Sequence, residues 1–246
     1  MAGQSTNSRR SAKPPDPRAA LRAQMEGRLD ECARLIDAGV VIIDPMTTYL
    51  EPGIKVGAAT VIYPNTTISG DSTIGKRCRI GPNAIIADSR IGDECTILAS
   101  LIEGASLDAG VDIGPFSHVR PNSHLEQDVH IGNFVEIKAA RLGEGTKVGH
   151  FSYIGDARLG IGVNVGAGTV TCNYDGMKKH ETVIGDRAFI GSGTMLVAPV
   201  RVGHDAATGA GAVVTRDVPD GAQVFGSPAR TKAQQPPRKQ VRSRSE

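Results

Sequence analysis

The chain has 246 residues and a formal net charge of +2, so charge gives no case for a nucleic-acid partner. Aromatics are only 4%, tryptophan is absent and glycine reaches 30; a core without large rings must be filled by Ile, Val and Leu, which points to a thin, regular interior. Four cysteines with no Cys-x-x-Cys spacing argue against a zinc site and fit a reduced, cytoplasmic protein, and there is no apolar run of bilayer length and no signal-peptide segment.

Residues 1–18 are polar and rich in Pro, Ser and Arg, and are expected to form a disordered tail. Next, Leu21, Met25, Leu29, Cys32, Leu35 and Ile36 recur at helical spacing, which predicts a linker-like helix over 19–39 with Gly39 as its stop. Residues 46–218 carry a different period. An aliphatic residue followed by a small or polar one returns every six residues, as in Val56-Gly57, Ile74-Gly75, Ile80-Gly81, Ile131-Gly132, Val148-Gly149 and Ile190-Gly191, with single five-residue steps between. Residues 219–246 are expected to form a C-terminal arm and a basic, solvated tail.

Hexapeptide repeats over this length mean a parallel β-helix, an all-β solenoid in which each repeat makes one flat side of a triangular prism and three make a coil. The aliphatic residue points to the axis. The small residue after it is expected at the corner, where glycine eases tight backbone geometry.

The repeat allows the sides to be counted. With Val119 on side A, Leu125 on B and Ile131 on C, residues in the same slot one coil apart stack at about 4.8 Å. His150 then falls at the C/A corner, in a ladder with Asn133, Ala167, Ser192 and Ala210. Small residues above a histidine leave a groove for a long, thin ligand. Side A carries Glu136 and Tyr153 in its outward slot, and Arg120 and Lys138 at its far corner. Two cations at strand spacing repel unless an anion lies between them, so side A reads as a site for an anionic substrate beside a candidate base. The alternative is that Arg120 and Lys138 are surface cations paired to Glu126 or Asp128. His118, His124 and His130 are six apart, so each leaves from a different side and they cannot chelate one metal; they read as solvated. The segment "TCNYDGMKKHETVIG" breaks the repeat and is expected as a loop beside the anion site.

The motifs "GHFSYIGD", "NVGAGTVTCNYDG" and "LVAPVRVG" are more specific than hexapeptides. From about residue 28 to about 220 the chain resembles the acetyltransferase half of the bifunctional glucosamine-1-phosphate N-acetyltransferase / N-acetylglucosamine-1-phosphate uridylyltransferase family. That resemblance implies a left-handed β-helix, a homotrimer with sites between subunits, and acetyl transfer from acetyl-CoA to the amine of glucosamine 1-phosphate without a metal. By position in the motifs, it implies that His150 is the general base and that Glu136 and Asn173 orient and polarise it. Arg120, Lys138, Tyr153, Asn164, Tyr174 and Lys179 match sugar-phosphate contacts, and Ala167, Ser192 and Ala210 match acetyl-CoA contacts.

Two departures stand out. No Gly-rich nucleotide-binding loop precedes residue 28, so the uridylyl step is not expected of this chain. After "VTRDV" the family carries a helical arm with an arginine near the CoA. Here "PDGAQVFGSPAR" puts Ser227 at about that place, with Arg230 as the candidate substitute. The competing readings are an acetyltransferase for another amino-sugar phosphate, such as galactosamine 1-phosphate, and a trimeric scaffold without turnover.

Overall fold

The computed structural model describes residues 16–231, so most of the N-terminal tail and the basic C-terminal tail expected from the sequence lie outside the described residues. The helix runs Pro17–Asp37. It starts before residue 19 because Asp16 caps it, accepting from the Arg18 N–H at 3.1 Å, and because a proline suits the first turn. It ends where Gly39 takes φ +86. Of its apolar stripe only Cys32 and Leu35 are buried; Leu21, Met25, Leu29 and Ile36 stay exposed. Glu31 and Arg34 tie the helix to the first coil, at the Gly53 N–H and the Ile54 carbonyl.

The rest is a left-handed β-helix. Short strands form three sheets of 12, 10 and 9 members, and sheet neighbours are one coil apart and parallel except for the final pair. The sheets match the counted sides. Face A holds Val119, Ile137, Ile154, Thr171, Leu196 and Val214; face B holds Leu125, Leu142, Leu159, Ile184 and Val202; face C holds Ile131, Val148, Val165, Ile190 and Thr208. The solenoid is longer than the 46–218 read from sequence. Val41–Ile42 already pair with Val61–Ile62, and Gln223–Val224 pair with Ala207–Thr208.

The axial column is almost wholly dry: Ile62, Ile80, Ile97, Ile113, Ile131, Ile137 and Ile154 are all 0% exposed. Each such side chain is worth about 1.5–3 kcal/mol relative to an exposed one. Two column positions are threonines, and both hydroxyls are satisfied. Thr171 Oγ1 accepts from the Gly155 N–H at 2.8 Å and Thr208 Oγ1 accepts from the Gly191 N–H at 3.0 Å.

The glycines after the aliphatic residues act differently from the expectation. At most of them φ is ordinary, and the positive φ values fall one or two residues later, at residues such as Arg77, Glu94 and Phe134. The glycines are needed because consecutive coils touch there. A Cβ at Gly75 would lie 2.4 Å from the Gly92 carbonyl oxygen, and one at Gly132 would lie 1.8 Å from that of Gly149.

Candidate active site

The C/A corner is set by the backbone ladder. Asn133 and His150 are direct Cα partners. The Gly168 N–H then donates to the His150 carbonyl at 3.0 Å, Gly193 to Ala167 at 2.7 Å and Gly211 to Ser192 at 2.8 Å. Asn133, His150, Ala167, Ser192 and Ala210 therefore stand in one column, as counted. Among the described residues, the N–H groups of Ala167, Ser192 and Ala210 have no acceptor within the chain.

His150 is exposed, and its Nδ1 is hydrogen-bonded to Asn133 Oδ1. Neither Glu136 nor Asn173 is bonded to the ring. Glu136 Oε1 accepts from Arg120 Nη1 at 2.7 Å. Asn173, only 7% exposed, donates from Nδ2 to the Tyr153 hydroxyl at 3.2 Å and also to Asp156 Oδ2. Both are claimed by partners at the other end of face A, out of the corner that holds the ring.

That other end gathers charge. Lys138 Nζ lies 3.5 Å from Asp156 Oδ2. Lys179 joins them from the loop between face A and face B, and its ammonium is held below the usual lysine range by Lys138 first, then also by Arg120. A lysine pushed down by neighbouring cations marks a cluster with positive charge to spare, the condition under which an anion binds. The pairing to Glu126 or Asp128 is overturned: Glu126 bonds to Arg141 at 2.6 Å, and Arg120 and Lys138 face Glu136 and Asp156 instead.

The loop is ordered by its own acid. Asp175 Oδ1 accepts from the Met177 and Lys178 N–H groups, both at 2.8 Å, and Oδ2 contacts His180 Nε2 at 2.6 Å. The Lys178 N–H, then His180 and the Met177 N–H, hold this carboxyl far below the usual carboxylate range. Lys179 is thereby fixed opposite Tyr174, whose hydroxyl donates to the Gly176 carbonyl at 2.6 Å.

Three expected residues stand elsewhere. Asn164 lies on face C, between Lys147 and Phe189 in the ladder. Tyr174 is on the loop with its hydroxyl turned back to the backbone. Arg230 is beyond the end of the corner column. At Gly226, φ +89, the chain leaves the coil path and returns as an antiparallel strand, which puts Arg230 opposite Phe225 beside a cavity of about 150 Å³ shared with Arg216. Pro228, which has no N–H to give a ladder, sits in that reversal.

Two features escaped the sequence reading. Asp156 anchors both Lys138 and Asn173, and it lies within the quoted "GHFSYIGD". Phe116, Phe134 and Phe151 stack with centroids 5.4 and 5.2 Å apart, though 61, 49 and 64% exposed. All three take positive φ, a rare state for a bulky residue. They wall a groove of about 450 Å³ with His118, Glu136 and Tyr153. Their spacing of one coil was the available signal. Above Phe151 the same slot holds Gly168 and Gly193, so the wall stops and the groove opens. The other histidines are paired and not merely solvated: His118 to Glu103 on face A, His124 to Asp108 on face B and His130 to Asp112 on face C. Among the described residues no three His, Cys, Asp or Glu side chains converge as a metal site.

The bacterial transferase hexapeptide (six repeats) family matches residues 53–88 and 181–216. "Bifunctional protein GlmU" of Carboxydothermus hydrogenoformans is 54% identical over 186 residues, covering 76% of this chain and 42% of that protein. The GlmU of Pelobacter propionicus is 51% identical over 188 residues (76% and 41%), and that of Thermotoga maritima 50% over 192 (78% and 43%). The chain spans about two fifths of the length of these curated relatives. Among solved structures, a GDP-perosamine N-acetyltransferase from Caulobacter crescentus overlaps 50% of this chain and 57% of that one, at 28% identity and a TM-score of 0.46. The chain thus carries the repeats of the hexapeptide transferases on a left-handed β-helix, and over three quarters of its length it is similar to the acetyltransferase half of the bifunctional GlmU proteins.

Proposed function

We propose that the chain transfers the acetyl group of acetyl-CoA to the amine of glucosamine 1-phosphate, giving N-acetylglucosamine 1-phosphate for UDP-N-acetylglucosamine synthesis. The observation that carries this reading is the division of face A, with an exposed base at one corner and Arg120, Lys138 and Lys179 gathered at the other. Sequence identity of about half to the GlmU proteins supports it.

The substrate amine attacks only when neutral. His150 Nε2 removes its proton as the C–N bond forms. The unpaired N–H groups of Ala167 and Ser192 suit the oxyanion that develops on the acetyl carbon. Collapse breaks the C–S bond, and the imidazolium returns the proton to the CoA thiolate. Thioester activation makes a metal unnecessary. The three cations receive the sugar phosphate, which competes with Glu136 for Arg120. The small side chains of Ala167, Ser192 and Ala210 leave room along the corner for the arm of CoA, with Arg230 and Arg216 beyond it.

The working assembly is a homotrimer in the cytoplasm with sites between subunits. The exposed phenylalanine stack beside His150 supports a subunit contact there, and Asn164 and Tyr174, off the face A cluster, act on a neighbour's substrate. Among the described residues no helix is long and apolar enough to cross a membrane. Sedimentation equilibrium should read three chains; a monomer contradicts this.

The test is release of CoA thiol from acetyl-CoA with glucosamine 1-phosphate, galactosamine 1-phosphate and free glucosamine. Turnover with the first is expected, with loss in His150→Ala. Preference for galactosamine 1-phosphate would change the substrate, and no acetyl-CoA binding by calorimetry would favour a scaffold.

A further inference from the structure

We infer that Asn133 is a positioning residue that fixes the tautomer of His150, so that Nδ1 carries the proton and Nε2 offers its lone pair to the groove. This rests on the reading of His150 as the base.

The geometry isolates the pair. Asn133 and His150 are Cα partners on adjacent coils, and the Asn133 carboxamide oxygen meets Nδ1. A carboxamide oxygen only accepts, so the bond requires a proton on Nδ1. Nε2 is then the basic nitrogen. No other rung can do this next to the ring, since the position above His150 is Ala167, without a polar side chain.

The corner is braced so that the two side chains meet. Phe134 and Phe151 directly follow Asn133 and His150, and their rings stack at 5.2 Å with planes 7° apart. The Phe151 N–H donates to the Asn133 carbonyl at 3.2 Å. Ring stack and backbone bond lock the register of both rungs.

A neutral partner also suits the chemistry. A carboxylate in this slot would favour the imidazolium and raise the ring's pKa, leaving less free base. Asn133 orients without adding charge. The ionisable side chains on the adjoining rungs are accounted for. On face C, Lys147 lies on the His150 strand, and His130 pairs with Asp112. On face A, His118 pairs with Glu103, Glu136 with Arg120, and Tyr153 with Asn173. The coil above brings Asn164 and Val170, which do not ionise.

The experiment compares the native chain with Asn133→Ala and Asn133→Asp, with ¹⁵N-labelled histidine and His150→Ala to assign the ring. Native His150 should show the Nδ1–H tautomer in NMR. Asn133→Ala should lose that preference and lower kcat roughly 10- to 100-fold, a part of the roughly 10²–10⁴ a general base supplies, with the KM for acetyl-CoA unchanged. Asn133→Asp should keep the tautomer and move the acidic limb of the kcat/KM profile upward by about one pH unit. Native tautomer and native kcat in a folded Asn133→Ala overturn the inference. The NMR readout needs no substrate. A tautomer change on a chain that acetylates no amino sugar therefore upholds the role of Asn133 and sinks the reaction, whereas turnover with an unchanged tautomer does the reverse.

Discussion

The two corners that bound face A are built on opposite terms. At the C/A corner every rung from Asn133 to Ala210 follows the repeat, and the backbone ladder alone decides which side chains stack. At the A/B corner the repeat falters. Most five-residue steps turn there (Ile86 to Ile91, Ile102 to Leu107, Ile137 to Leu142, Ile154 to Leu159), and the same corner emits the loop between Cys172 and Thr182. The regular corner presents His150 in a fixed place beside the small side chains of Ala167, Ser192 and Ala210. The irregular one gathers Arg120, Lys138, Lys179, Asp156 and Asn173 from three coils and a loop, a density of polar groups that a strict hexapeptide does not supply. On the function proposed above, this solenoid holds its chemistry where it is periodic and its recognition where it is not.

That division predicts a split in kinetics. His150→Ala should lower kcat by roughly 10²–10⁴ with little change in KM, since it removes a group used only as the bond forms. Gly132→Ala attacks the same corner through packing. The new Cβ would lie 1.8 Å from the Gly149 carbonyl oxygen, so the coil beneath His150 must shift, and overpacking of this kind costs about 1–3 kcal/mol. A lower Tm together with reduced kcat is expected; a native Tm would mean that the coils have slack. Lys138→Met, at the other corner, should raise the KM for the sugar phosphate roughly 10-fold or more with kcat nearly kept, the loss of a charge-assisted contact of about 1.5–3 kcal/mol. If Lys138→Met lowered kcat as His150→Ala does, the corners would not be separate.

The same contrast explains what could be read in the sequence. Face, slot and rung follow from counting, because parallel pairing in register leaves the backbone no choice; so the column from Asn133 to Ala210 and the pairing of Glu136 with Tyr153 were legible. Partners within the polar corner were not. Arg120 can reach several carboxylates, and which one it takes depends on reach and competition, neither of which has a period. The bond from Arg120 to Glu136 is of this kind, and no count of slots announces it. Glycine's use was misjudged for a related reason: the approach of one coil to the next is a property of the stack, not of the local turn.

Asp156→Asn is a finer cut at the irregular corner. Asp156 accepts from Asn173 and faces Lys138 at 3.5 Å. A neutral replacement keeps the shape but frees the lysine, so the KM for the sugar phosphate should rise by a few-fold, less than for Lys138→Met. An effect as large as that of Lys138→Met would make Asp156 a substrate contact in its own right.

The smallest expected effect lies at the loop tip. Asp175 is held far below the usual carboxylate range by the Lys178 N–H, His180 and the Met177 N–H. A depressed carboxylate contributes order that is fully present above its unfolded value of about 3.9 and is lost as pH falls through the lower folded value. The loop should therefore keep its bonds through mildly acidic pH and loosen only below the ordinary carboxylate range. Exchange of the Met177 and Lys178 amides, corrected for the intrinsic acid dependence, reports this directly, because both donate to Asp175 Oδ1 at 2.8 Å. Asp175→Asn should abolish the acid transition and raise the KM only slightly, since Lys179 loses its brace but not its charge. A transition near or above pH 4 would show that the carboxyl is not held in solution, and the loop would then be no better fixed than the irregular corner from which it springs.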